Sequence, residues 1–131
     1  MSVKKWIASF ILLTLGIICY LLFRPYSIFN GYFSNIIPTL DLPEKLDWIS
    51  GSLPDALWYS ALLLLQKPLF LGYKISFDSI ITIIAILIPF VHEVSQLSEY
   101  IDGYFSYQDI FSYFVVLIIF IFLWNKKRIL K

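Results

Sequence analysis

Apolar residues gather in four long runs, over about 6–23, 53–71, 76–97 and 107–124, with short polar stretches between them. A helix needs about 20 apolar residues to cross the hydrocarbon core of a bilayer. The pattern therefore predicts an all-α integral membrane protein: four transmembrane helices in an antiparallel bundle. The basic residues punctuate the runs unevenly. Lys4 and Lys5 precede the first, Lys67 and Lys74 lie between the second and third, and Lys126, Lys127, Arg128 and Lys131 follow the fourth. The other two connections hold only Arg24 and Lys45. Every second loop is thus basic, the asymmetry that orients a chain across a bilayer, and both termini are expected on the cytoplasmic side.

The first helix ends at Arg24-Pro25, because proline cannot continue a helix. Residues 24–51 are rich in aromatics (Tyr26, Phe29, Tyr32, Phe33) and are expected to form an outer interfacial loop with a short helix. Three stretches share a cap-x-x-acid grammar: Asp41-Leu42-Pro43-Glu44, Ser52-Leu53-Pro54-Asp55 and Ser106-Tyr107-Gln108-Asp109. In each, the cap side chain accepts an orphan backbone N–H and the acid reaches back to the cap. The first predicts a short interfacial helix over about 42–49, broken by Gly51 before the second membrane helix starts at Ser52. Lys67-Pro68 interrupts that helix, so residues 67–73 are either a kinked continuation or a dipping turn. The third helix opens near Asp78 and carries Pro89 as an expected kink. A turn over 99–105 leads into the fourth, and 125–131 is a basic cytoplasmic tail. The whole of 1–131 reads as a single transmembrane domain.

Composition narrows the function. The chain is 60% hydrophobic and 15% charged, whereas a soluble domain carries roughly 25% charge. Four spans nearly fill these 131 residues, so any chemistry they perform belongs in or on the membrane. The net charge of +1 hides a polarity: apart from Asp78, the acids fall on the expected outer side. The basic tail is read as a topology signal beside anionic lipid headgroups, not as a nucleic-acid patch. Membrane lipids are the expected partners, and the sequence leaves the oligomeric state open. Cys19, the only cysteine, is read as a small residue within the first span. That span has a basic start, but it is longer than a signal-peptide core and lacks a small-x-small exit, so it is expected to be retained.

Candidate chemistry concentrates at the outer end of the third helix. Glu93 would lie ~20–27 Å along it, in the outer third of the bilayer, where an ionisable group is expensive and usually faces a bundle interior or a wet cavity. Glu93 and Gln96, and His92 and Gln96, have the spacing of residues on one helix face. The turn back into the fourth helix should bring Asp109 close, and Asp55 at the outer start of the second helix should be near. Each has a plainer reading: Asp55 and Asp109 as caps, His92 as an interfacial polar residue, Gln96 as a link between helices. Trp58 and Tyr59 read as interface anchors. His92-Glu93-Val94-Ser95-Gln96 lacks the second histidine of a zincin, so no metal site is expected. No nucleophile–His–acid set and no phosphate-cradling loop stands out, which points away from an enzyme, and no cofactor is implied.

Glu93-x-x-Gln96, then Gly103-Tyr104-Phe105-Ser106-Tyr107-Gln108-Asp109, resembles the acid-x-x-Gln, glycine turn and Asp of the VanZ-like family of small bacterial membrane proteins. Ser52-Leu53-Pro54-Asp55-Ala56-Leu57-Trp58-Tyr59 is similar to that family's polar start to the second helix. The resemblance covers about 52–124. It departs from the family pattern at Tyr104, where an arginine is usual, and at Tyr113 and Val116, where the family often has Asn and Gly. It implies a multi-pass protein of the bacterial inner (plasma) membrane acting in the cell envelope. Some family members are linked to reduced sensitivity to glycopeptide antibiotics such as teicoplanin. On this reading the protein is non-catalytic, and a ligand-binding pocket of Glu93, Gln96, Asp109, Asp55 and His92 holds a lipid-linked or headgroup-like envelope precursor. The competing readings are a small-solute or proton-coupled transporter, an enzyme acting on lipid-linked substrates, and a purely structural helix bundle.

Overall fold

The computed structural model describes residues 3–23, 43, 47–66, 77–98 and 105–129. These residues form four helices: α1 Val3–Phe23, α2 Asp47–Leu65, α3 Phe77–Ser95 and α4 Tyr107–Ile129. Three stretches, Val3–Phe23, Phe77–Ser95 and Tyr107–Trp124, are long and apolar enough to cross a membrane. At 21 residues, α1 is about 31 Å long, close to the thickness of a bilayer's hydrocarbon core. The outward faces carry large bare apolar side chains, among them Phe10 on α1, Val91 on α3 and Phe122 on α4. A water-soluble surface rarely holds so much contiguous apolar area. The chain has the makeup of a membrane protein.

The odd helix is α2. It is not among the three stretches apolar enough to span by composition, yet it supplies two of the most deeply buried side chains, Leu63 and Pro54. Its neighbours explain this. α2 packs against α1 most, then α4, and least against α3, so much of its surface meets protein instead of lipid and need not be as apolar as a lipid-facing wall. Its partners are specific. Ser9 on α1 donates its hydroxyl to the Ala61 carbonyl at 2.8 Å. Gly16 is buried where a side chain would collide with the Trp58 indole, 2.2 Å from an added Cβ, and that indole stacks on Tyr20 with ring centres 6.2 Å apart. Early α1 therefore meets late α2, and the two run in opposite directions.

The core joins α2, α3 and α4 through aromatic rings. Tyr59 meets Phe90 edge-on at 6.2 Å and Tyr113 at 5.5 Å, and Phe90 meets Tyr113 at 5.6 Å. Edge-to-face contact sets the positive ring edge against the negative ring face, worth about 0.5–1.5 kcal/mol per pair beyond the buried area. Val116 and Phe120 extend the cluster along α4. Tyr59 is 3% exposed, which corrects the expectation of an interface anchor; Trp58 keeps an exposed edge while packing on α1. The Tyr59 hydroxyl donates to the Ile86 carbonyl at 3.2 Å. That carbonyl lies in the turn disturbed by Pro89, whose missing N–H would have served Ala85.

The start of α2 also differs from expectation. Gly51 does not break the chain: one helix runs from Asp47 through Gly51, Ser52 and Pro54 to Leu65. Of the short helix expected over 42–49, Pro43 is exposed and outside any helix and 47–49 belong to α2, while 42 and 44–46 lie outside the described residues. Tertiary contact overrides local propensity here. Pro54 is fully buried, and its carbonyl lies beside Gly16, so packing against α1 holds the helical path that proline alone disfavours. Gln66 closes α2, its N–H bonding to the Leu63 carbonyl at 3.1 Å and its side-chain amide to Leu62 at 3.2 Å. The alternatives over 67–73, the interfacial loop over 24–42 and the turn over 99–104 lie outside the described residues.

Candidate functional site

The end of α3, the start of α4 and the first half of α2 meet at one level, and buried polar groups concentrate there. Glu93 is 3% exposed and Asp109 6%, with Ser50 and Ser52 buried alongside. In an otherwise apolar chain, two buried carboxylates at one junction demand specific partners, because charge removed from water is costly unless hydrogen-bonded or paired.

Ser106 caps α4. Its carbonyl accepts from Ile110 N–H at 3.3 Å, and its side-chain oxygen accepts from Asp109 N–H at 3.3 Å. This is half of the capping box that the spacing predicts. In the other half the acid three residues on would accept the N–H of the cap. Asp109 does not close that loop. The Ser106 N–H donates instead to Glu93 Oε1 at 2.5 Å, and Asp109 Oδ1 accepts the Ser52 hydroxyl from α2 at 2.7 Å. The capping acceptor is thus supplied by α3, which frees the Asp109 carboxylate to hold α2. Asp109 also stands in the first turn of α4, where the positive end of the helix dipole favours an anion. One chain of contacts, Glu93–Ser106–Asp109–Ser52, ties three helices together.

The other expected site residues fall differently. His92 is exposed, and its Nε2 lies 3.3 Å from the Gln96 amide nitrogen. That pair sits on the outer flank of α3, while Glu93 points inward. The end of α3 is closed by hydroxyls: Ser95 donates to the His92 carbonyl at 2.5 Å and Ser98 to the Ser95 carbonyl at 2.6 Å. Gln96 N–H is shared between the carbonyls of His92 and Glu93 at 3.3 and 3.2 Å. These bonds occupy carbonyls that a helix end leaves without intrahelical donors. Asp55 is half-buried on α2, three residues after Ser52. The structure therefore joins Glu93 and Asp109 into one network and places His92 and Gln96 together at its margin. Among the described residues, no three of His, Cys, Asp and Glu gather as a metal site would require.

Sequence reasoning reads Ser52 as a helix cap; its place in the junction, as the donor to Asp109, is new. The usable signal was a serine in a mostly apolar helix, where a buried hydroxyl takes a partner on a neighbouring helix. No family model matches the chain, and neither a curated protein nor a solved structure is significantly similar to it.

Proposed function

We propose that all four helices cross the bacterial inner membrane with both termini in the cytoplasm, and that the protein is a VanZ-like, non-catalytic component of the cell envelope. The charge pattern supports the four-span topology. With α2 left outside, Lys67 and Lys74 would lie outside, and so would Lys126, Lys127, Arg128 and Lys131 after α4, reversing the rule that basic loops stay in the cytoplasm. With α2 inserted, every basic cluster is cytoplasmic and the Glu93–Asp109 junction lies at the outer end of the helices.

The observation that carries the functional reading is the burial of two carboxylates, Glu93 and Asp109, in one hydrogen-bonded junction. Each is an acceptor-only group with about four lone-pair sites when ionised. Such a junction selects a ligand rich in N–H or O–H donors, as the headgroup of an amino lipid or a lipid-linked wall precursor is. His92 and Gln96 at its margin would orient the polar part while the acyl part stays in the bilayer. Expression of wild type and of Glu93→Ala in a host sensitive to cell-wall antibiotics, with blotting for abundance, tests this. Loss of a glycopeptide phenotype at undiminished abundance supports a ligand role.

A second reading has its own observation: Glu93 accepts from the Ser106 cap of α4 and Asp109 from Ser52 of α2, so both carboxylates bond from one helix to another. On that reading Glu93–Ser106–Asp109–Ser52 is a structural latch alone. Abundance and phenotype then fall together in Glu93→Ala, and Glu93→Gln, which keeps an acceptor for Ser106, restores both.

A further inference from the structure

Resting on the four-span reading, we infer that α2 is a conditional span: it crosses the membrane as the docked partner of α1 and does not insert unaided. Three observations converge on this. α2 is not among the stretches apolar enough to cross by composition. Its first half carries Asp47, Ser50, Gly51, Ser52, Pro54 and Asp55, a burden that lipid would reject residue by residue. And its most extensive contact is with α1, the described helix that precedes it in the chain and itself strongly apolar.

The α1 face that receives α2 is built for the purpose. Ser9 and Gly16 are its buried residues, two turns apart on one side of the helix. Ser9 bonds to the Ala61 carbonyl, and the bare backbone at Gly16 leaves room for the Trp58 indole. Between membrane helices the hydrophobic effect contributes little, so close packing and interhelical hydrogen bonds decide association. Docking on α1 covers the side of α2 nearest Pro54 and Trp58, and the lysines at 67 and 74 hold its far end in the cytoplasm. The consequence reaches the polar junction: only an inserted α2 brings the Ser52 hydroxyl to Asp109, so insertion completes the junction.

The test reads topology in the full-length protein. In a Cys19→Ser background, Lys74→Cys and Leu97→Cys report the two ends of α3 to a membrane-impermeant maleimide on intact cells. The expected result is that Lys74→Cys reacts only after permeabilisation and Leu97→Cys reacts directly. Gly16→Leu, which closes the Trp58 seat while making α1 itself more apolar, should then expose Lys74→Cys in intact cells. Adding Gly51→Leu and Ser60→Leu makes α2 apolar enough to insert alone, and a Cβ at Gly51 meets nothing within 4 Å; this addition should restore protection. Reaction of Lys74→Cys without permeabilisation in the protein that keeps glycine at position 16 would topple the four-span topology, and the inference with it. Continued protection in Gly16→Leu would leave that topology standing and overturn the inference. Exposure that the two leucines fail to reverse would also overturn it, since the damage would then be general misfolding.

Discussion

The backbone N–H of Ser106 donates to the carboxylate of Glu93, thirteen residues earlier on the preceding helix. A helix cap is ordinarily local. Here α3 supplies the acceptor for the first residue of the α4 cap, so the end of one helix and the start of the next are defined by the same bond.

Removal of the Glu93 side chain should therefore destabilise the α3–α4 pairing. A buried donor left without its acceptor costs about 1–3 kcal/mol, so Glu93→Ala should lower the thermal midpoint of the purified protein in detergent. Glu93→Gln keeps an acceptor oxygen and should recover most of the loss. Equal midpoints for wild type and Glu93→Ala would show that Ser106 N–H finds another partner at no expense.

Ser52 and Asp109 should be coupled. Interhelical side-chain bonds in membranes average about 0.6 kcal/mol and reach about 1.7, and a carboxylate acceptor belongs at the upper end. A double-mutant cycle of Ser52→Ala and Asp109→Ala, read by denaturation in mixed micelles, should return a coupling of about 1–2 kcal/mol. Strict additivity would place the two residues in separate environments.

Tyr59→Phe should cost about 0.5–1.5 kcal/mol, the usual net worth of one hydrogen bond. The aromatic contacts with Phe90 and Tyr113 survive the change. In a Pro89→Ala background the cost should stay the same, because the restored N–H would serve the Ala85 carbonyl and leave Ile86 as it was. A smaller cost in that background would mean that the straightened turn withdraws the Ile86 carbonyl from Tyr59.

Gly16→Ala should destabilise the α1–α2 contact, since the new methyl meets the Trp58 ring at well under contact distance. Trp58→Ala alone should also cost stability, through loss of the stack on Tyr20. Together the two changes should cost less than their sum, because each relieves the clash or the void left by the other. Additive losses in thermal midpoint would mean the indole has moved off Gly16.

Much of this architecture was legible in the residues. Long apolar runs mark α1, α3 and α4, for which length and composition suffice. α2 was harder, because its beginning depends on what surrounds it: Gly51 reads locally as a break and Pro54 as part of a first turn, and only contact with Gly16 and burial of Pro54 explain the unbroken helix. The junction shows the same division. Glu93 and Asp109 stand out as acids at the ends of apolar runs, and Ser106 as a cap. That Ser106 would turn to Glu93, and Asp109 to Ser52, follows from how three helices converge. His92 and Gln96 share a helix face as their spacing implies, but that face is the outer flank. Tyr59 was misread for a related reason: an aromatic near the outer start of a span resembles an anchor until two other helices close over it.

Because α2 is sheathed by its companions, selection on much of its surface comes from side chains of the same protein and not from acyl tails. Drift there can trade greasiness for hydroxyls, amides or small residues wherever a neighbour answers the change, while the outward stripes of α1, α3 and α4 stay confined to oily replacements. Chemical novelty in such a protein would arise from its innermost helix outward.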